Sequence, residues 1–198
     1  MKAFYIVACI AFVFLLIQSY QVVSSSLKTE NQKYRLVRTE AQFEIRFYPS
    51  ATFATITSSG TDYKSVANSG FRKLAGYIFG GNEQKQSIAM TAPVRMEMTD
   101  KGSTMSFVMP EKYAASDLPK PNDASVQIVK SSPQYVAAIT FGGYADDKSI
   151  QENRDLLVKR LQEKGIKIAG EYTYLGYNAP FQFWSRKNEV VIPIEWKE

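Results

Sequence analysis

Apolar and polar residues alternate from Phe43 to Tyr48, where the odd positions are aromatic or aliphatic and the even positions are Glu, Arg and Tyr. A period of two places the two sets on opposite faces of a sheet, so this stretch is predicted to be a half-buried strand. Pro49-Ser50 supplies a turn, and Phe53–Thr57 is predicted to be the returning strand.

A helix is predicted next, because the apolar positions change to helical spacing. They are Val66, Gly70, Phe71, Leu74, Tyr77 and Ile78. Asp62 can cap this helix, since its carboxylate can accept from a free amide of the first turn. Gly80-Gly81-Asn82 ends it. Two more strands are predicted, one carrying Val94, Met96 and Met98 on one face and the other spanning Met105–Met109.

The second half of the chain repeats this pattern. Phe43–Phe79 aligns with Val126–Gln162 without a gap, and Phe107–Pro110 aligns with Val190–Pro193. Ala92-Pro93-Val94 aligns with Ala179-Pro180-Phe181. A second helix is predicted from about Asp146 to Lys164, ending at Gly165. The predicted strands of this half are Val126–Lys130, Tyr135–Phe141, Tyr172–Tyr177, Phe181–Ser185 and Glu189–Ile194.

The repeat predicts two copies of one β-β-α-β-β unit, at about 34–110 and 126–195, within a single domain spanning 27–198. A linker with prolines, 111–125, joins them, and proline does not fit a central strand. One unit has too small an apolar face to be stable alone. We therefore expect an α+β fold in which two antiparallel sheets form a distorted barrel with two flanking helices. A cleft for a flat apolar ligand can open at the joint between the copies.

The N-terminal segment, residues 1–26, is predicted to be a signal peptide or an N-terminal membrane anchor. Ala3–Ile17 is an unbroken apolar run behind Lys2. This run suits the hydrophobic region of a signal peptide and is shorter than the roughly 20 residues of a membrane span. Either interpretation predicts a protein of the cell envelope or a secreted protein.

Composition excludes several classes of function. The net charge is +5, but the basic residues are scattered, which argues against a nucleic-acid partner. The sequence contains no histidine, and its one cysteine, Cys9, lies inside the apolar run. The folded part therefore has no thiol nucleophile and no cysteine metal site. Without paired carboxylates or a phosphate-binding loop, we predict that the protein is not an enzyme.

Five motifs resemble the SOUL haem-binding protein family, and they occur in the order found in that family. They are Ile88-Ala89-Met90-Thr91-Ala92-Pro93-Val94, Phe107-Val108-Met109-Pro110, Leu118-Pro119-x-Pro121-x-Asp123, Phe141-Gly142-Gly143-Tyr144 and Gly176-Tyr177-Asn178-x-Pro180. The resemblance extends from about Tyr34 to Ile194. It implies a duplicated strand–helix unit in a distorted barrel, related to the effector-binding domains of bacterial transcription regulators. It also implies a ligand, haem or another tetrapyrrole.

The resemblance further implies a binding site, in which haem lies against the first helix in an exposed apolar cleft and basic side chains approach its propionates. On the helix, the implied residues are Phe71, Leu74, Ala75 and Tyr77, with Arg72 and Lys73 as propionate partners. On the other wall they are Tyr177, Phe181, Phe183, Trp184 and Arg186. Gly76 stands where animal members of the family can have a basic residue. Some members use a histidine as the iron ligand; here Met, Tyr or water would have to serve.

Ordinary structural roles are open for the same residues. Phe71 and Leu74 can belong to the core, and Tyr77 and Tyr177 can direct their hydroxyls to the surface. Arg186 can lie in a solvated turn. Asp62, Asp146 and Asp147 are predicted to be helix caps.

Three functions therefore remain open. The first is a noncatalytic haem- or tetrapyrrole-binding or carrier protein of the cell envelope. The second is a binding module for another apolar ligand in the same cleft. The third is a protein-interaction domain whose cleft is filled by its own side chains.

Overall fold

The computed structural model describes residues 29–60, 62–99, 102–179 and 182–197. The predicted signal peptide or anchor, residues 1–26, lies outside these ranges, as does Phe181. Within the described ranges, no helix is both long and apolar enough to cross a bilayer.

Two long helices and a series of strands make up the described chain. The helices are α1 (Tyr63–Ile78) and α2 (Asp147–Glu163), and a short 3-10 turn spans Ala115–Asp117. The strands are β1 (Glu30–Asn31), β2 (Arg35–Thr39), β3 (Glu44–Tyr48), β4 (Thr52–Ser58), β5 (Thr91–Ala92), β6 (Val94–Thr99), β7 (Gly102–Val108), β8 (Gln127–Lys130), β9 (Gln134–Phe141), β10 (Thr173–Gly176) and β11 (Asn188–Pro193).

One curled antiparallel sheet of nine strands organises the fold, in the order β2-β3-β9-β11-β10-β6-β7-β4-β8. The short strands β1 and β5 form a separate parallel pair. From β3 to β8 the sheet is symmetric: reading inwards from either end gives corresponding strands of the two copies in the same order. The first strand of each copy pairs with the second strand of the other copy, β3 with β9 and β8 with β4. The copies meet at β6 and β10, where Met96 lies opposite Tyr174.

Both helices pack on one face of this sheet and build the main core with it. α1 lies over β4 and β7, and α2 lies over β9 and β11. Leu74 and Ile78 of α1, and Leu157 and Leu161 of α2, are almost fully buried in this core. The predicted α+β class with two flanking helices is therefore confirmed.

The two helix starts are held by neighbouring aspartates. Asp146 caps α2 as predicted, because its carboxylate accepts a 2.8 Å hydrogen bond from the Ser149 amide. Asp147 acts on the other helix, where its carboxylate accepts a 2.8 Å hydrogen bond from the Tyr63 amide at the start of α1. This contact ties the two copies together at one end of their helices.

Two details differ from the sequence-based expectations. The strands of both copies join in one sheet instead of two, because β6 and β10 pair across the joint. The predicted strand Phe181–Ser185 is wrong over its described residues, 182–185, which contain no strand. Instead of pairing with a strand, the Gln182 carbonyl accepts a hydrogen bond from Arg186 Nη1, which also donates to the carbonyl of Ala179. Residues 177–187, of which 180 and 181 are not described, are called the arm below.

Candidate ligand-binding cleft

An open cleft of about 690 Å³ lies between α1 and the arm, above the joint of the two copies. Its volume falls in the range of about 300–1,000 Å³ that is typical of small-molecule sites. The floor comes from the central strands and consists of Val94, Met96, Met105, Tyr174 and Gly176. The cleft therefore opens where the sequence predicted it.

One side of α1 forms the first wall. Ala67, Phe71 and Ala75 follow one another at intervals of four residues, so they lie along a single stripe of the helix. Phe71 is 37% exposed, and its ring meets Phe107 edge-on with the centroids 5.3 Å apart. The aromatic ring is therefore supported from below while part of its surface faces the cleft.

A second, polar stripe borders the first on α1. It contains Lys64, Asn68 and Arg72, again at intervals of four residues. Within the described part of the chain, no carboxylate pairs with Lys64 or Arg72. Gly76 continues this stripe by one more turn, and a Cβ at Gly76 would meet no atom within 4 Å. The outer rim of the cleft is thus cationic and has room at its far end.

The opposite wall is held by hydrogen bonds around Arg186. Its Nη1 lies 2.9 Å from the Ala179 carbonyl and 2.7 Å from the Gln182 carbonyl, and its guanidinium stands 4.3 Å from the centre of the Tyr144 ring. Its Nε is buried without a hydrogen-bond partner among the described residues. Tyr144 and Asn178 complete this wall. Arg186 therefore fixes the arm and also brings a third cation to the cleft.

A polar chain beneath the floor fixes the central tyrosine. The Tyr174 hydroxyl donates to Asn188 Oδ1 over 2.7 Å, and Asn188 Nδ2 donates to the Gly143 carbonyl over 2.9 Å. Burial raises the pKa of Tyr174, which therefore stays a neutral donor. The floor and the loop that carries Tyr144 are thereby connected.

Four of the predicted site residues line the cleft together: Phe71, Arg72, Ala75 and Arg186. Lys73 does not, because its ammonium group lies 3.1 Å from Ser125 Oγ and 3.8 Å from an Asp123 carboxylate oxygen in the linker.

Other predicted residues lie elsewhere. Leu74 is fully buried in the core. Tyr77 is buried beside it and donates to the Pro119 carbonyl over 2.9 Å. Tyr177 lies on the opposite face of the sheet, where it donates to Glu189 Oε2 over 2.7 Å. The expectation of surface hydroxyls for Tyr77 and Tyr177 is wrong, because both are held by buried acceptors.

Two aromatic residues of the arm do not line the cleft. Phe183 is 70% exposed and Trp184 is 58% exposed, and neither lines the cavity. Phe181 lies outside the described residues, so its contact with a ligand stays a prediction.

Several lining residues were missed by the sequence reasoning. They are Tyr63, Lys64, Ala67, Asn68, Val94, Met96, Met105, Tyr144, Ala145, Tyr174, Gly176 and Asn178. On α1 a signal existed, because the small residues Ala67 and Ala75 flank Phe71 at four-residue spacing on a stripe next to the core positions. The loop residue Tyr144 had only its place in a family motif.

The chain matches known proteins over most of its length. The family model described as SOUL heme-binding protein matches residues 29–193. Heme-binding protein 2 of Mus musculus is 32% identical over 157 residues, covering 75% of this chain and 76% of the relative. Heme-binding protein 2 of Homo sapiens is 33% identical over 158 residues, again covering 75% of this chain and 76% of the relative.

Solved structures with the same fold are far more distant in sequence. The C-terminal domain of EcmrR has a TM-score of 0.63 at 8% identity, covering 79% of this chain and 98% of that domain. A hydrolase from Listeria innocua has a TM-score of 0.58 at 9% identity, covering 80% and 94%. At such identities these likenesses concern the fold alone. The family match and the two heme-binding relatives, by contrast, show that the chain belongs to the SOUL heme-binding protein family.

Proposed function

We propose that this protein binds haem or a related tetrapyrrole in the cleft between α1 and the arm, as a noncatalytic carrier that uses no histidine ligand. One observation carries the proposal: the cleft of about 690 Å³ has a largely apolar floor and three cations along its described lining, with no carboxylate among those residues. A flat macrocycle with two carboxylates is complementary to such a surface.

The macrocycle would be held by surface contact. Phe71 offers an aromatic face on one wall, and Met96 offers a polarizable thioether side chain in the floor. Burial of apolar area contributes about 25 cal/mol per Å², so a large flat ligand gains affinity here without any bond to its metal.

The propionates would be held by the cationic stripe. Arg72 and Lys64 lie on the exposed side of the cleft, and an arginine forms paired hydrogen bonds with a carboxylate. Arg186 adds positive charge from the opposite wall. This arrangement would leave the propionates at the solvent edge and the apolar part of the ring inside.

The donor set fits haem held by contact. Because the chain has no histidine, strong ligation by imidazole is excluded. Bound haem would supply the iron centre, while the chain's own residues bind and orient the ring.

The carrier role and the location in the cell envelope belong to the same proposal. The relatives are named as heme-binding proteins and not as enzymes, which supports a noncatalytic role. The apolar run behind Lys2 supports the location. The open cleft argues against the alternative of an interaction domain whose cleft is filled.

Titrating the protein with ferric haem and with iron-free protoporphyrin, side by side, tests the proposal. We expect both to quench tryptophan fluorescence, and haem to give a broad, weak shift of its Soret band. If lipids or other apolar compounds stabilise the protein against heat while neither porphyrin binds, the cleft serves another apolar ligand and the proposal is wrong.

A blocking variant locates the site. Ala67→Phe places a ring inside the cleft and should weaken binding of both porphyrins. Ala124→Phe, at an exposed position outside the cleft lining, is the matched control and should bind them as the unchanged protein does. Equal binding by the two variants would show that the ligand binds in another part of the molecule.

A further inference from the structure

The walls of the cleft contain few groups able to hold an iron atom. The sequence has no histidine, and Cys9 lies outside the described residues. Among the described lining residues, the side chains of the kinds that bind haem iron are Met96, Met105, Tyr63, Tyr144 and Tyr174. The question is which of these presents its donor atom to a ligand in the cleft.

The two methionines are poor candidates because they are built into the floor. Met96 is 2% exposed and Met105 is 1% exposed. The sulfur of Met105 is packed beneath α1, only 3.2 Å from the position that a Cβ on Gly70 would take. Turning this sulfur towards the cleft would open a gap under the helix.

Two of the tyrosines are packed into the floor of the cleft. Tyr174 is 3% exposed and donates its hydroxyl hydrogen to Asn188 Oδ1. Tyr63 is half-buried and packs edge-on against the Tyr174 ring, with the centroids 5.3 Å apart. Both rings therefore serve as packing between α1 and the sheet.

Tyr144 differs from the others in exposure and in support. It is 56% exposed, and no described group bonds to its hydroxyl. The guanidinium of Arg186 lies 4.3 Å from its ring centre, and that guanidinium is itself held by two backbone carbonyls. The loop before it is fixed as well, since Gly143 has a φ of 81° and its carbonyl accepts from Asn188. Tyr144 is thus an accessible oxygen donor on an ordered wall.

The charge around the cleft suits an anionic ligand atom. A phenolate bound to ferric haem adds one negative charge to the two propionates. Arg186 lies directly against the Tyr144 ring, and Lys64 and Arg72 stand on the facing wall. These three cations can balance that charge. Phenolate oxygen is also an established protein ligand of haem iron.

We propose that Tyr144 supplies the axial ligand of ferric haem through its phenolic oxygen; this rests on the proposed function above. A bond forms between Oη and the iron, the phenolic proton passes to solvent, and the water or chloride that occupied the axial position of free haem is released. The oxidation state of the iron does not change. Arg186 acts as a positioning residue that holds the ring and its charge in place.

The test compares Tyr144→Phe with a matched control, Tyr34→Phe, in the full chain, since Tyr34 is also exposed but lies against Arg46, outside the cleft lining. Phenylalanine keeps the ring and its contact with Arg186 and removes only the oxygen. We expect the unchanged protein and Tyr34→Phe with ferric haem to show phenolate ring modes in resonance Raman spectra excited in the visible charge-transfer band. Tyr144→Phe should lose these modes. Its affinity for haem should fall by about tenfold or more, because loss of even an outer-shell partner of a metal ligand typically costs about 10- to 100-fold.

Iron-free protoporphyrin separates this proposal from the binding function itself. It has no metal to ligate, so all three proteins should bind it with equal affinity. Ferric haem spectra and affinities that are the same in Tyr144→Phe as in the unchanged protein, with haem still bound, would overturn the ligand assignment and leave the proposed function intact. If no form binds either porphyrin, the proposed function fails and the ligand assignment fails with it.

Discussion

Arg46 and Glu189 form a forked ion pair across the sheet, on the face opposite the cleft. Arg46 Nη1 lies 2.8 Å from Glu189 Oε2, and Nη2 lies 2.9 Å from Oε1. Both side chains are almost fully buried. The Tyr177 hydroxyl and the Thr140 hydroxyl donate to the same carboxylate. The inner face of the curled sheet is therefore organised around one buried charge pair.

Breaking this pair should destabilise the fold without touching the cleft. Arg46→Met leaves Glu189 as a buried carboxylate with fewer partners, which typically costs about 3–5 kcal/mol. The ammonium group of Lys187, 3.1 Å from Glu189 Oε1, remains as a partner and should keep the loss of stability near the lower end of this range. Urea unfolding measures the change in the free energy of unfolding.

Two controls belong to this experiment. Glu195→Gln removes an exposed pair with Lys167 and should change the free energy of unfolding by less than about 1 kcal/mol. The double variant Arg46→Met with Glu189→Leu should cost less than the two single changes together. Strict additivity would mean that the two side chains do not stabilise each other.

The same pair predicts how stability changes in acid. Burial raises the pKa of Glu189, but the hydrogen bonds and charge of Arg46, with the Tyr177 hydroxyl and Lys187, outweigh it and hold that pKa at about 2, below the ordinary value of 4.5. The carboxylate's contribution is therefore complete above pH 4.5 and is lost as the pH falls towards 2.

Urea unfolding from about pH 6 to about pH 2.5 checks this sign. The unchanged protein should lose stability over the acidic part of the range more steeply than the double variant Arg46→Met with Glu189→Leu. Parallel curves for the two proteins would show that another group is responsible for the acid sensitivity.

The alternation in Phe43–Tyr48 predicted a strand correctly but predicted the surroundings of its polar positions wrongly. Arg46 and Tyr48 were expected on a solvated face, yet both are buried. The sheet curls, so its second face is enclosed as well. The Tyr34 ring covers the Arg46 guanidinium, whose central carbon lies 4.2 Å from the centre of that ring. Besides the neighbouring Glu44, the buried partner of Arg46 is Glu189, 143 residues away, and a local pattern carries no information about such a distant pair.

The helix shows why the candidate site was only partly predicted. Helical spacing places Leu74 and Ala75 almost side by side, but Leu74 enters the core and Ala75 lines the cleft. Which stripe faces the core depends on how α1 rotates against β4 and β7, and that is a property of packing. The strand predicted at Phe181–Ser185 was wrong for a different reason. In the first copy β6 ends at Thr99 and β7 begins at Gly102, whereas in the second copy β10 ends at Gly176 and β11 begins only at Asn188.

Arg72 and Lys73 give a direct test of the cationic stripe, since they are adjacent and carry the same charge. Only Arg72 lines the cleft, while Lys73 pairs with the linker. Arg72→Ala should weaken haem binding by up to about fivefold, the range for an exposed ion pair. Lys73→Ala should leave the affinity unchanged. Fluorescence titration at low salt, where screening is weakest, measures both. Equal losses in the two variants would indicate a general effect of net charge.

Gly76→Arg should strengthen haem binding, because it extends the cationic stripe of α1 by one turn. A side chain at Gly76 meets no atom within 4 Å of its Cβ, so the change needs no repacking. We expect the affinity for haem to rise by up to about fivefold.

Two comparisons isolate the cause of that gain. Gly76→Ala improves the helix by about 1 kcal/mol without adding charge, so it should raise thermal stability and leave haem affinity unchanged. Haem dimethyl ester lacks free carboxylates and should bind Gly76→Arg and the unchanged protein equally. A gain with the ester as large as with haem would mean that the new arginine packs against the macrocycle and that the propionates lie elsewhere.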